Sequence, residues 1–543
     1  MKVLIIGGVA GGATTATRLR RLNENIEIII IERGEYVSFA NCGLPYYIGN
    51  VIENKENLLL QTPVSFKERF NIDVRIKEEA IEINRESKEV AIRRLGTGEI
   101  YKEKYDKLVL SPGAKPINPF ENLKSDRIQT LRTINDSIKI KENIMKEKPK
   151  NVAIIGGGYI GVEMAENLRQ YKDINISIIE KSSHLIGPID TDIAQMVNNQ
   201  LQKNGINIIL NNGVKEIEKL EKGFNIKLEK GKINSEYIIL CIGVRPESDL
   251  AIKSGLKVND KGAVIVNEKM ETNDKDIYAL GDCIQVTNFV TKKQAYIPLA
   301  GPANKQARIV ANNICFKEST FDGSIGSSIL KVFDKNLGIT GINEKVCVEN
   351  NIDYKSIIVS PYSHATYYPN ATQLVIKAIY RPNDGKILGA QVWGKEGVDK
   401  ITDILATSIR MNMKAKDLSE LELCYAPPFS SAKSPINILG NAIENELDKL
   451  VENISVEDLL KKKNPYILDV RTVEEYNLGH MKNAINIPLD KLRENLGKIS
   501  NEKEINVYCK TGLRSYIACR ILNQKGFNTK NITGGYDLIK LYK

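Results

Sequence analysis

The stretch Ser38-Phe39-Ala40-Asn41-Cys42-Gly43-Leu44-Pro45-Tyr46-Tyr47-Ile48-Gly49 holds one cysteine in a turn rich in glycine and proline. A dithiol oxidoreductase needs a second, resolving thiol nearby, because its own disulfide carries the electrons. Here no cysteine follows until Cys241. A redox-active Cys42 must therefore take its partner from outside, as a bound thiol, a persulfide or a sulfenic oxygen. The bland alternative is an inert packed thiol, and the nucleotide-binding fingerprints around Cys42 argue against it. Cys509 is a second thiol with chemical potential. It follows the strand Ile505 to Tyr508 and precedes Lys510-Thr511-Gly512-Leu513-Arg514-Ser515 and a helix. A loop of backbone N–H groups at a helix N-terminus stabilises a thiolate and leaves room for an anion, with Arg514 steadying charge.

The elements that must position Cys42 are nucleotide-binding units. Val3 to Ile6 reads as a buried parallel strand, Gly7-Gly8-Val9-Ala10-Gly11-Gly12 as a turn, and Ala13 to Leu22 as a helix. Ile26 to Ile31 returns as a strand closed by Glu32. Glycines let backbone approach a pyrophosphate at a helix N-terminus, and the acid accepts from a ribose hydroxyl. Val9 replaces the middle glycine of the fingerprint. A second copy is complete: strand Val152 to Ile155, Gly156-Gly157-Gly158-Tyr159-Ile160-Gly161, a helix carrying Glu163 to Arg169, then Ile176 to Ile179 ending in Glu180. Glu180 favours NADH by repelling a 2′-phosphate, while neighbouring Lys181 leaves NADPH open. Two units imply two dinucleotides, FAD first and a nicotinamide second. Lys107 to Ala114 reads as a strand returning to the first sheet, and a later strand ends in Gly281-Asp282, where Asp282 would meet a flavin ribityl chain.

Composition bounds the rest. At 543 residues the chain has room for roughly three or four domains. Hydrophobic content of 42% and charged content of 27% are those of a globular protein. No apolar run reaches the ~20 residues of a membrane span, and the apolar start is too short for a signal peptide, so the expected location is cytoplasmic. The eight cysteines contain no CxxC, which gives neither a disulfide framework nor a metal site. Lysines spread along a chain of net charge +10 describe a solvated surface, not a nucleic-acid track.

Taken together, these motifs resemble the pyridine-nucleotide disulfide reductases over about residues 1–440, and Ser38 to Gly43 resembles their single-cysteine branch, the coenzyme A-disulfide reductases. Residues 453–543 are similar to the rhodanese domain, through Asp469-Val470-Arg471, Glu474-Glu475-Tyr476, Gly479-His480 and the Cys509 loop. The implied architecture is α/β: two Rossmann-like domains, an α+β dimerisation domain and a C-terminal rhodanese domain. Boundaries fall at 1–115 with 246–324 for FAD, 116–245 for NAD(P)H, 325–440 for dimerisation, 441–452 as a helical connector, and 453–543. The resemblance implies cofactor contacts at Gly7, Ala10, Gly11, Gly12, Glu32, Arg33, Asn41, Ser111, Gly113, Asp282 and Ala300, and at Gly156, Gly158, Ile160, Gly161, Glu180 and Gly243. It implies coenzyme A contacts at Thr14, Arg18, Arg21, Ser38, Asn41, Asn304, Arg308 and Lys433. Arginine forks on one helical face suit phosphates.

The resemblance also implies a homodimer in which Tyr367 or Tyr368, and Tyr425, lie beside the partner subunit's Cys42. A tyrosine hydroxyl there could protonate a leaving thiolate. In rhodanese domains a residue such as His480 is usually structural, and Cys519 is read as packed. The activity implied is NAD(P)H-dependent reduction of coenzyme A disulfide, coenzyme A persulfide or polysulfide at Cys42, with a low thiol pKa there and a persulfide carried on Cys509. One alternative is an NADH oxidase or peroxidase cycling Cys42 through a sulfenic acid. Such relatives usually carry a histidine in the first glycine turn, where this chain has Val9-Ala10 and only three histidines in all. Another is a sulfur-relay carrier that hands persulfide to a partner protein.

Overall fold

The computed structural model describes residues 1–542. They form two compact units, Met1–Ser183 with Gly205–Ser324, and His184–Asn204 with the chain from Ile325 onward. In the first unit, continuous apolar runs make strands buried on both faces. One five-stranded parallel sheet runs in the order Ile277–Ala279, Lys107–Leu110, Lys2–Ile6, Glu27–Glu32, Asp73–Ile76. A second runs Ile206–Ile209, Asn175–Ile179, Asn151–Ile155, Tyr237–Leu240, Ile128–Thr130. The antiparallel ribbon of Ala114–Pro116 with Val244–Pro246 joins the two where the chain crosses between them. Val3, Leu4, Ile5, Ile30, Leu108 and Val109 are fully buried or nearly so, because the first sheet shares its core with the helices Ala10–Leu22 and Ala300–Ile314 and with the antiparallel strands Glu78–Asn84 and Glu89–Arg94.

The second unit holds an antiparallel sheet in the order Ser328–Val332, Lys335–Gly341, Ile387–Gly394, Val375–Tyr380, Lys355–Val359. It also holds a parallel sheet in the order Glu452–Ile454, Thr529–Ile532, Ile505–Tyr508, Tyr466–Asp469, Ile485–Asn486. The stretch read as a connector is the second half of a helix, Pro435–Leu447, whose Ser434 hydroxyl caps the N-terminus, and Glu452 already pairs in the second of these sheets. Ile358 of the antiparallel sheet shares an apolar cluster with Ile454, Val456 and Tyr508.

Segment 184–204, read from the sequence as part of the NAD(P)H domain, groups instead with the second unit. The reason is ionic. Lys377 is buried, and its ammonium lies 3.1 Å from Asp190, 2.9 Å from Asp192 and 3.0 Å from Glu344. Those carboxylates hold its pKa above the ordinary lysine value even though burial works the other way. Gln391 donates to Asp190 at 2.7 Å and completes the cluster. Removing the cation strands buried carboxylates. Lys377→Met is expected to destabilise this unit by about 3–5 kcal/mol, read as an earlier transition of the full-length protein in denaturant.

Candidate active site

Both glycine turns are held in the same way. In the first, the Gly8 N–H donates to Glu32 at 2.8 Å and Gly7 N–H donates to the Ile31 carbonyl at 2.9 Å. In the second, Gly157 N–H donates to Glu180 at 2.7 Å and Gly156 N–H to the Ile179 carbonyl at 2.8 Å. Each strand-end carboxylate thus draws its turn back over the neighbouring strand. Gly156 sits at φ +104°, and a Cβ there would lie 2.3 Å from the Cys241 carbonyl oxygen. Gly12 is required by close approach, since its Cβ would lie 1.8 Å from the Gly7 carbonyl oxygen. Gly158 differs: a Cβ there would meet no protein atom within 4 Å. Its glycine is explained by a ligand approaching the backbone. Neither the helix Ala10–Leu22 nor Tyr159–Leu168 has a side-chain cap at its N-terminus, so the first-turn N–H groups are left for an anion.

Of the remaining cofactor candidates, Ser111 lies against Gly11, and Gly113 against the Arg132 guanidinium. Ala300 opens the helix Ala300–Ile314. Arg33 is exposed and faces Glu79 and Glu247 at 3.8 and 3.7 Å. Ile160 lies in the first turn of its helix, and Gly243 leads into the crossing ribbon.

Cys42 lies in a single turn of 3-10 helix, Asn41–Gly43. Its loop is clamped to the first glycine turn by the Ser38 N–H, which donates to the Gly8 carbonyl at 2.8 Å, with Ser38 itself at φ 48°. The Ala40 N–H donates to Leu58, which fixes the other edge. Asn41 Oδ1 is buried with no hydrogen-bond partner among the described residues, so a donor on a bound ligand would satisfy it. The expected low thiol pKa is not what the protein groups produce. Packing around the sulfur pushes the Cys42 thiol up, the carboxyls of Glu163 and Asp282 add to that, and Arg132 alone opposes. Burial, with Glu166 adding, raises the Glu163 carboxyl to about 7. Burial also carries the nearby Tyr46 hydroxyl to about 12. Asp282 is held by Arg132 at 3.0 Å.

The coenzyme A candidates of the first unit fall on two packed helices. Thr14 donates to Asn304 at 2.7 Å, and the Arg18 guanidinium donates to Asn312 at 3.2 and 3.3 Å. Arg21 and Arg308 are exposed on the same two helices. In the second unit Lys433 is exposed just ahead of the helix Pro435–Leu447. There the hydroxyls of Tyr367 and Tyr425 meet at 2.7 Å, although the residues are 74% and 48% exposed. Tyr368 instead sets its ring edge-on to His364 at 5.8 Å. Tyr367 rather than Tyr368 is the one paired with Tyr425, and this hydrogen bond raises the pKa of Tyr367.

The Cys509 sulfur accepts the Gly512 N–H at 3.1 Å, with Gly512 at φ 115°. Arg514 is gripped by two bonds of 2.7 Å to Glu475, and this pairing depresses the Glu475 carboxyl to about 2. Its guanidinium also faces Cys509. His480 stacks on Tyr476 at 3.8 Å and bonds its carbonyl, as a structural histidine does. Cys519 is fully buried, and desolvation lifts its thiol to about 12. Arg132 and Glu163 were not singled out as site residues from the sequence. Arg132 follows a strand of the second sheet yet reaches Asp282 beyond the first. The only local signal for Glu163 is its place two residues past the last fingerprint glycine.

The chain matches the pyridine nucleotide-disulphide oxidoreductase family over residues 1–307, its dimerisation domain over 327–435 and the rhodanese-like domain over 453–541. It belongs to the pyridine nucleotide-disulphide oxidoreductase family and is an oxidoreductase. It is similar throughout to the crystal structure of reduced Bacillus anthracis CoADR-RHD, 44% identical over 99% of this chain and 98% of that one, TM-score 0.96. A NAD-dependent persulfide reductase from A. fulgidus is 36% identical over 99% and 100%, TM-score 0.94. The coenzyme A disulfide reductase of Staphylococcus epidermidis is 35% identical over 81% of this chain and 99% of its own length. The family's cofactors are FAD and a pyridine nucleotide, and the open space at Gly158, the uncapped helix N-termini and the orphaned Asn41 oxygen fit them. Among the described residues no helix is long and apolar enough to cross a membrane.

Glu163 ionises near pH 7, and its charge then suppresses the Cys42 thiolate, so Glu163→Gln is expected to speed alkylation of Cys42 several-fold at pH 8 and to erase an inflection near pH 7. The raised carboxyl also costs native stability, by an amount that grows from pH 4.5 to about 7 and is constant above; the variant should gain stability at pH 8 relative to pH 5. Glu180→Ala is expected to cut the NADH-to-NADPH ratio of kcat/KM by roughly tenfold or more in steady-state assays.

Proposed function

We propose that this protein is an NAD(P)H-dependent flavoprotein reductase of coenzyme A disulfide, coenzyme A persulfide or polysulfide, which works through Cys42 alone and carries sulfane sulfur on Cys509. The observation that carries the reading is the solitary Cys42, clamped to the first glycine turn and carrying no partner sulfur. All eight cysteines are free among the described residues, and Cys241, the next in sequence, is the residue that packs under Gly156 in the second sheet. The names of the similar proteins point the same way.

Bound FAD would supply the two-electron chemistry between the nicotinamide and sulfur, held by the first glycine turn, Glu32, Asn41 and Asp282. Glu180 and the second turn would hold the nicotinamide dinucleotide. The Cys42 thiolate attacks the sulfur–sulfur bond of the substrate: a bond from Cys42 to one sulfur forms, the substrate bond breaks, and the other sulfur leaves as a thiolate that takes up a proton. Thr14, Arg18, Arg21, Ser38, Asn41, Asn304, Arg308 and Lys433 bind the coenzyme, with arginines at its phosphates. Because packing and Glu163 disfavour the Cys42 thiolate, the chemistry depends on groups brought by the cofactor or substrate to offset them. The exposed Tyr367–Tyr425 pair belongs to an interface between two copies, where it faces the partner subunit's Cys42 and protonates the leaving thiolate. Exposed Phe429, on the same loop as Tyr425, supports burial in such a dimer. Cys509 accepts sulfane sulfur: its thiolate bonds the outer sulfur of the donor, and the donor thiolate leaves. The free thiols and the absence of a spanning helix support a cytoplasmic location.

Anaerobic stopped-flow with NADH-reduced protein tests the reading. Flavin reoxidation by coenzyme A disulfide or persulfide should be fast, lost in Cys42→Ser and retained in Cys509→Ser. Fast reoxidation by peroxide alone would overturn the assignment in favour of a peroxidase.

A further inference from the structure

The rhodanese-like cysteine lies at the end of a continuous chain of hydrogen bonds that begins at Glu446, where Lys355 and Tyr380 of the dimerisation domain meet it. Glu446, on the helix Pro435–Leu447, is buried and accepts from three donors. Its Oε1 takes the Lys355 ammonium at 3.0 Å, and its Oε2 takes the Tyr380 hydroxyl at 2.8 Å and the Asn453 amide nitrogen at 2.7 Å. Asn531 Nδ2 donates to Asn453 Oδ1 at 3.0 Å, and the Ser515 hydroxyl donates to Asn531 Oδ1 at 2.7 Å. Ser515 Oγ lies 3.5 Å from Cys509 Sγ. Ser515, Asn531 and Glu446 are 0%, 7% and 8% exposed, and Asn453 between them is half-buried.

The polarity of this chain is forced from its far end. A carboxylate offers only lone pairs, so the Asn453 atom facing it must be the amide nitrogen. Asn453 then turns its oxygen to Asn531, which must answer with nitrogen and present its own oxygen to Ser515. Ser515 has one hydroxyl proton and three acceptors in reach: Asn531 Oδ1 at 2.7 Å, the Gly512 carbonyl at 3.0 Å and the Cys509 sulfur at 3.5 Å. The proton goes to Asn531. Ser515 Oγ therefore shows Cys509 only lone pairs, which give a thiolate there no support.

We propose that Glu446, Asn453, Asn531 and Ser515 are positioning residues that keep the Ser515 proton away from Cys509, so that the dimerisation domain sets how readily this sulfur reacts. This rests on the reading of Cys509 as the sulfur-accepting thiol. Glu446→Gln inverts the chain. Lys355 holds the amide oxygen, so the amide nitrogen faces Asn453, both asparagines turn over, and the Ser515 proton is freed from Asn531 to turn to a Cys509 thiolate, whose charge makes it a stronger acceptor than the Gly512 carbonyl. A sulfur that gains this donor is stabilised as a thiolate, the reactive form. The other charged or titratable groups at Cys509, which are Arg514 with its partner Glu475 and the buried Cys519, are untouched by the substitution.

The test is the rate of iodoacetamide alkylation of the full-length protein at one neutral pH, with Cys509 and Cys42 peptides quantified separately by mass spectrometry. In Glu446→Gln, Cys509 should react roughly three- to tenfold faster, the effect of about one hydrogen bond, with Cys42 unchanged. In Ser515→Ala the chain has lost its last link, and adding Glu446→Gln should change nothing further. An unchanged Cys509 rate in Glu446→Gln overturns the proposal. So does an acceleration that persists in the double variant, which would mean general loosening. Sulfur uptake by Cys509 from a persulfide donor, assayed on the wild-type protein, tests the carrier reading separately; its absence would remove that reading and leave the alkylation result standing.

Discussion

The first unit depends on one recurring interaction: a carboxylate at the end of the second strand of each nucleotide-binding fold accepts the N–H of the glycine after the first strand. Glu32 does so for Gly8 and Glu180 for Gly157. The bond pulls each turn into the tight path in which Gly12 and Gly161 press on the carbonyl oxygens of Gly7 and Gly156. That path frees the first-turn N–H groups of the following helix. It also brings the Gly8 carbonyl to Ser38, which anchors the loop bearing Cys42. The first glycine turn and the Cys42 loop are therefore one piece of geometry.

How much of this was legible follows from sequence distance. The glycine turns, their closing acids and the Cys509 loop are local patterns, in which a few residues set both the backbone and the chemistry, and the structure builds them where the spacing puts them. The helix Ala10–Leu22 starts three residues earlier than its apolar pattern, because the turn itself supplies the first helical residues. What escaped are contacts between residues far apart in the chain. Arg132 meets Asp282 across 150 positions, and Lys377 meets Asp192 across 185. No periodicity encodes such pairs. The grouping of segment 184–204 with the second unit was missed for that reason, as was the carboxylate environment that raises the Cys42 thiol.

Cys42 and Cys509, the two cysteines proposed to react, are set up in opposite ways. Cys42 is in an exposed turn whose nearest protein charges are mostly negative, so the groups that activate it must come with its ligands. Cys509 is buried, receives a backbone N–H directly and faces a guanidinium that Glu475 locks in place. One thiol waits for a ligand, while the other is equipped by its own loop. This division matches a redox centre on one hand and a carrier of sulfane sulfur on the other.

The helix Pro435–Leu447 has a consequence for how such a chain could arise. A domain added behind a flexible tether can be gained or lost by a single change in gene length, and neither part notices. Here Glu446 binds Tyr380 on one side and Asn453 on the other, and Ile358 shares its apolar cluster with Ile454 and Val456. The similar reductase of Staphylococcus epidermidis aligns along 99% of its length over 441 residues and so has no room for the C-terminal domain. For a lineage of this kind, acquiring or shedding that domain would require reworking the surface beneath it.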